Sequence, residues 1–177
     1  MKKVWIVILI FSFIISVVAC SSEKGTEIKN VNETKTDAPK KEIKDTKQIL
    51  PEDILSKEDT ENLTNLKVEE VYKSEEEAVG MNLVNYGFGV KGFVQISLNH
   101  MSEERIKTLY DGMKDMSKKS VDIEGLGDKA FTSKEADNWI YVLKEDYMIT
   151  ICAKDNETAM KIARFATDKL ETLLKNK

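Results

Sequence analysis

One histidine, two arginines and two cysteines are all this chain holds of the side chains on which most catalytic, metal and nucleic-acid sites depend. A single imidazole, His100, excludes a multi-histidine zinc site within one chain, and no nucleophile stands near it to complete a triad. Its place between an alternating segment and Ser102 reads as a structural or surface position. Arg105 and Arg164 are the only guanidinium forks, so bidentate readout of phosphate or guanine has little to work with. Positive charge is scarce too: residues 49–177 carry 18 basic and 25 acidic side chains, a formal charge of −7 that repels a phosphate backbone. Nucleic acid is therefore not expected as a partner.

Long apolar runs are missing except at the start. Lys2 and Lys3 precede Val4 to Ala19, which is interrupted only by Ser12 and Ser16 and closes on Val17-Val18-Ala19-Cys20. The run is shorter than the roughly 20 apolar residues that comfortably cross a bilayer. This segment resembles the signal peptide of bacterial lipoproteins. The resemblance implies that residues 1–19 are removed by cleavage between Ala19 and Cys20, and that Cys20 is diacylated on its sulfur. It implies, too, a mature chain held by lipid on the extracytoplasmic face of the cell membrane. The other reading of the run, an uncleaved anchor, also places the remaining chain outside the cytoplasm. With Cys20 committed to lipid, Cys152 has no partner for a disulfide and is expected to be buried.

Between Cys20 and Gln48 the chain mixes lysine with acids and has too few apolar residues to offset the entropy of ordering, which predicts a disordered tether. Residues 49–177 are long enough for one domain with its own core. Glu52 to Leu63 reads as short helix, with acids in its first turn. Leu66–Tyr72 and Met81–Phe88 read as strands, and Ser74-Glu75-Glu76-Glu77 between them matches a capping box for one helical turn. Phe93–Asn99 alternates cleanly, with Val94, Ile96 and Leu98 on one face. A helix capped by Ser102 follows, with Ile106, Leu109, Tyr110, Met113 and Met116 as its stripe. Lys129–Thr132, Trp139–Leu143 and Met148–Ala153 read as strands, and a last helix opens at Asp155 or Asn156. Short strands with hairpin-length joints predict an α+β fold: an antiparallel sheet of five to six strands with helices packed on one face. Residues 66–118 and 127–175 repeat the same order of elements, which suggests a structural duplication without residue-level likeness.

The stretch from Val121 through the Gly125-Leu126-Gly127-Asp128 turn to Phe131, followed by a hairpin and a closing helix, is similar in outline to small extracytoplasmic PsbP-like lipoprotein domains. That resemblance implies binding or accessory work rather than catalysis.

Three constellations invite chemistry. Gly87-Phe88-Gly89-Val90-Lys91-Gly92-Phe93-Val94 spells G-x-G-x-x-G-x-V, yet the alternation after Gly92 is that of a strand, where a dinucleotide site needs a helix N-terminus. Kinase motifs that would give the glycines another use do not follow. The stretch reads as a glycine-rich turn. Asp122, Glu124 and Asp128 are the candidate oxygen ligands for a metal and the candidate carboxylates for a small extracytoplasmic enzyme, but their spacing is not that of an EF-hand loop. Ile123 and Leu126 between them suggest a strand end and a turn, so no metal and no cofactor is called for. Trp139, Tyr141 and Leu143 share one strand face. If that face is open, they form the binding surface of a non-enzymatic module that takes an envelope protein or a small envelope ligand.

Overall fold

In a computed structural model, residues 48–176 are described; the run expected to be a signal peptide, Cys20 and the expected tether up to residue 47 lie outside the described residues. The chain enters through two short helices, α1 (Pro51–Ile54) and α2 (Lys57–Thr64). Pro51 supplies a φ suited to a first helical position, and Ser56 caps α2 in a reciprocal box: its Oγ accepts from Asp59 N, and Asp59 Oδ2 accepts from Ser56 N, both at 3.1 Å. What reads as one helical stretch is thus two, divided at Leu55 and Ser56.

Seven strands follow: β1 (Glu70–Glu76), β2 (Met81–Gly87), β3 (Phe93–His100), β4 (Ser120–Asp122), β5 (Lys129–Ser133), β6 (Ala136–Lys144) and β7 (Tyr147–Cys152). Helix α3 (Glu103–Met116) joins β3 to β4, and α4 (Asn156–Lys175) follows β7. All neighbours pair antiparallel in the order β1-β2-β3-β7-β6-β5-β4. The fold is the expected α+β antiparallel sheet, and the strand beyond the expected six is β4, three residues long. Gly87 ends β2, a single 3-10 turn spans Gly89–Lys91, and β3 begins at Phe93, so the glycine-rich stretch is a hairpin connection with no helix behind it.

One face of the sheet carries the main core. Ile140, Val142, Ile149 and Ile151 are fully buried against Ala159, Ile162, Ala163, Ala166 and Leu170 of α4. The small alanines let α4 lie close to the β-branched surface beneath it. Tyr86 reaches through this layer to donate its O–H to the Leu55 carbonyl at 2.5 Å, and Lys161 Nζ donates to the Leu63 carbonyl at 2.8 Å, fixing the entry helices to sheet and α4.

The expectation of helices on a single face needs correcting, because α3 packs on the other one. Its Ile106 and Tyr110 are buried against Phe131, Tyr141, Leu143 and Met148. Connectivity explains this. Successive antiparallel pairings make β3 and β4 parallel, and β7, β6 and β5 lie between them, so the chain has to cross over those three strands. One face is already taken by α4, and α3 crosses on the other. Among the described residues no helix is long and apolar enough to cross a membrane.

Candidate functional site

Strand alternation puts Trp139, Tyr141 and Leu143 on one face, as the sequence suggests, but that face is the one α3 crosses. Tyr141 and Leu143 are only 9% and 3% exposed, so two of the three candidate surface residues belong to a second core. Tyr110 meets Phe131 edge-on at 5.2 Å, Phe131 stacks on Tyr141 at 4.6 Å, and Tyr141 stacks on Trp139 at 6.4 Å. The series starts under α3 and ends at Trp139, which is part-exposed beyond the end of the helix. There it borders a cleft of about 380 Å³ lined by Met116, Ser117 and Lys118 after α3, and by Ser133, Glu135 and Ala136 at the β5–β6 turn. Ser133 Oγ donates to the Lys118 carbonyl at 3.1 Å and Lys134 N to the Lys119 carbonyl at 3.2 Å, so both walls are tied together. Met116, expected in the helix stripe, is 73% exposed at the rim.

Register extends this site across the sheet. Trp139 pairs with Cys152, Cys152 with Gln95, Gln95 with Asn85, and Asn85 with Tyr72. Paired residues point to the same face, so these five side chains form one cross-strand row on the face that α3 leaves uncovered toward β1. Tyr72 is 64% exposed, Asn85 and Gln95 are half-buried, and Cys152 is buried between the row's amides and Trp139. Over five strands the row runs roughly 19 Å at about 4.8 Å per strand. Phe93 is exposed one register step away. Burial pushes the Cys152 thiol up from its ordinary value, which keeps it protonated and unreactive, as expected of a thiol used for packing.

The acidic candidates do not come together. Asp122 Oδ1 accepts from Lys114 Nζ at 2.5 Å, Glu124 is exposed in the turn, and Asp128 is held by the β6–β7 hairpin. Asp128 Oδ2 accepts from Glu145 N at 2.7 Å, and its Oδ1 accepts from Lys144 Nζ at 3.1 Å. Partial burial works against its charge, but the Glu145 N–H and the Lys144 ammonium outweigh it and hold Asp128 below the usual carboxylate range. A different acidic group, Glu103, Asp128, Glu145 and Asp146, lines a cleft of about 420 Å³. The Lys107 hydrogen bond and charge lower Glu103 as well. A general acid at neutral pH needs the opposite shift. Among the described residues no three His, Cys, Asp or Glu side chains sit where they could share an ion. His100 bonds Asp146 Oδ2 through Nε2 at 2.9 Å and stacks on Tyr147 at 4.4 Å, a structural use at the end of two paired strands.

No family model, no curated protein and no solved structure matches this chain.

Proposed function

We propose that this chain is a lipid-anchored cell-envelope protein that works as a non-enzymatic binding module, attached to the membrane through Cys20. The observation that carries the binding reading is the row Trp139, Cys152, Gln95, Asn85, Tyr72, which puts an aromatic ring at each end, two part-exposed side-chain amides toward Tyr72 and the buried Cys152 next to Trp139. Amide side chains both donate and accept, and aromatic rings offer apolar faces beside polar tips. None of the five carries a charge at neutral pH. Such a row suits an elongated, uncharged, hydroxyl- and amide-bearing ligand, of which an N-acetylated glycan strand is the envelope form. The carboxylate-enzyme reading gains nothing from the acidic cleft, because both of its carboxylates with a shifted ionisation are held charged, Glu103 by Lys107 and Asp128 by the Glu145 N–H and Lys144.

Only two tryptophans occur in the chain, Trp5 and Trp139. On this reading Trp5 leaves with residues 1–19, so in the mature lipidated chain, detergent-solubilised, Trp139 is the sole indole and reports directly on the row. Titration with N-acetylglucosamine tetramer should give a saturable fluorescence change that Asn85→Ala and Gln95→Ala each weaken severalfold. A flat titration, or one indifferent to both substitutions, refutes the ligand class. Anchoring is tested separately: Cys20→Ala should abolish lipid labelling and leave an unprocessed precursor, and continued processing behind Ala19 with unchanged membrane fractionation refutes it.

A further inference from the structure

The acidic excess of the folded part is not spread over it. Residues 48–80 hold ten acids and three lysines, whereas residues 81–177 hold 15 acids and 15 basic residues, so the whole −7 belongs to α1, α2 and β1. Within that segment four of the five acids of the entry helices have local work: Asp53 and Asp59 cap, Glu61 accepts from Val68 N, and Glu52 pairs with Lys73. Those of β1 do not. Glu69, Glu70, Glu75, Glu76 and Glu77 are exposed and make no ion pair among the described residues.

β1 is also an edge strand. Among the described residues it pairs with β2 alone, over seven residues and without a register shift, so its outer side presents a straight line of backbone donors and acceptors. Proteins blunt such edges by shortening, bulging, burying or charging them; the opposite edge of this sheet is a strand of three residues, while β1 keeps its length and carries charge at Glu70, Lys73, Glu75 and Glu76. β1 also shows Val71 on one face and Tyr72 on the other, 42% and 64% exposed, between acidic ends. A second copy is a poor fit, since two such edges side by side would bring glutamates against glutamates.

We infer that β1 is a docking edge for an extended segment of another polypeptide, about seven residues long, with lysine or arginine at its ends and apolar residues at its centre. The segment adds an eighth strand by main-chain hydrogen bonds, its basic ends meet Glu69–Glu70 and Glu75–Glu77, and apolar residues between those ends cover Val71 and Tyr72, while Lys73 at the centre of β1 stays with Glu52. The site meets the glycan row at Tyr72 and lies about four strand spacings, roughly 19 Å, from Trp139; its test reads main-chain pairing and charge, so its failure and that of the glycan reading are distinguishable.

The test uses full-length chain in detergent and a fluorescein-labelled peptide, Lys-Arg-Val-Thr-Val-Arg-Lys, whose palindromic order suits either strand direction. Fluorescence anisotropy should show saturable binding that weakens with salt. It should fall at least tenfold in Glu70→Lys/Glu75→Lys/Glu76→Lys, and severalfold in the neutral triple Gln variant, both checked for native circular dichroism. The same peptide N-methylated at alternate amides keeps its charge but cannot pair on one side, and should lose binding by a similar factor. Absence of binding, equal binding of the methylated peptide, or indifference to charge reversal overturns the inference. Binding seen only after residues 21–47 are deleted overturns it too, by assigning the edge to the chain's own lysine-bearing segment, as does self-association through β1 in sedimentation.

Discussion

Gly125 and Gly127 stand two residues apart in the turn between β4 and β5, and both adopt left-handed backbone, with φ of 67° and 59°. Their surroundings differ completely. A Cβ at Gly125 would meet nothing within 4 Å, whereas one at Gly127 would lie 2.5 Å from Val142 Cγ1 and 2.6 Å from the Leu143 carbonyl oxygen. That oxygen cannot easily retreat, because it accepts from Asp128 N at 2.8 Å. Gly125→Ala should therefore cost only the conformational penalty of an L-residue with positive φ, about 1 kcal/mol. Gly127→Ala adds the clash, about 1–3 kcal/mol for overpacking against a fixed neighbour, for a total of about 3 kcal/mol. Urea unfolding of the full-length chain followed by circular dichroism reads both, with Glu124→Gln as a control that should stay within about 0.5 kcal/mol, since Glu124 is exposed. If the two alanine variants lose equal stability, the turn does not press on β6 as described. If Glu124→Gln is the costliest, the acids of this turn do work that the geometry does not account for.

Tyr86→Phe removes the O–H that the buried Leu55 carbonyl accepts, and should lower stability by about 1–2 kcal/mol at an unchanged urea slope; an unmoved midpoint refutes the role of that bond. Burial raises Tyr86, Tyr110 and Tyr141 above the ordinary phenol value, reinforced at Tyr86 by Glu52 and Asp59 and at Tyr110 by Asp122 and Asp111. The folded state then holds more protons than the unfolded state above pH about 10, so their contribution is full below that value and falls as pH rises beyond it. Tyrosinate absorbance should appear for these three together with loss of the native dichroism. Reversible ionisation of all three near pH 10 in a folded chain contradicts this. Cys152 should react with a disulfide reagent at least about tenfold more slowly in the native chain than in urea, and rapid stoichiometric labelling of native protein would show the thiol to be open.

The parts of this fold that were legible are those set by local chemistry. Period-2 alternation marked β3, whose Val94, Ile96 and Leu98 are buried together, and Asp155 caps α4 by accepting from Thr158 N at 2.8 Å. Where a local signal competes with pairing, pairing wins. Ser74-Glu75-Glu76-Glu77 has the composition of a capping box, but Ser74, Glu75 and Glu76 pair with Leu83, Asn82 and Met81 in the ladder, and the helical turn starts only at Glu77. Leu66 and Val68, which looked like strand, lie before it, with Val68 N bound to Glu61. On α4, Glu157 and Lys161, and Glu171 and Lys175, stand at the i,i+4 spacing of ion pairs, but Lys161 goes to the Leu63 carbonyl and Glu171 to Lys144 at 3.0 Å. Side-chain alternation placed Trp139, Tyr141 and Leu143 together correctly. Their covering by α3, and the row that joins Trp139 to Tyr72, depend on strand order and register, and no local pattern encodes either.

Strand order also bears on the duplication that the sequence suggests. The meanders β1-β2-β3 and β5-β6-β7 do meet at the centre of the sheet through the antiparallel pair β3–β7, as two copies of one unit would. A rotation that exchanges the halves must reverse both the order across the sheet and the direction of the strands. The only such rotation is a two-fold about the sheet normal, and it leaves each face where it was. The helices that follow the two meanders should then lie on the same face, but α3 packs on one and α4 on the other. The halves are therefore not related as rigid copies, and the break has a consequence for the surface. Had α3 followed the symmetry, it would have joined α4 over the main core and left the aromatic series Tyr110, Phe131, Tyr141 without its first member. Because α3 instead has to reach β4 at the far edge, it covers β5–β7 and stops there. The part of the sheet face around Tyr72, Asn85 and Gln95 is what that crossing leaves uncovered, while Ser97 and Asn99 of β3 are buried.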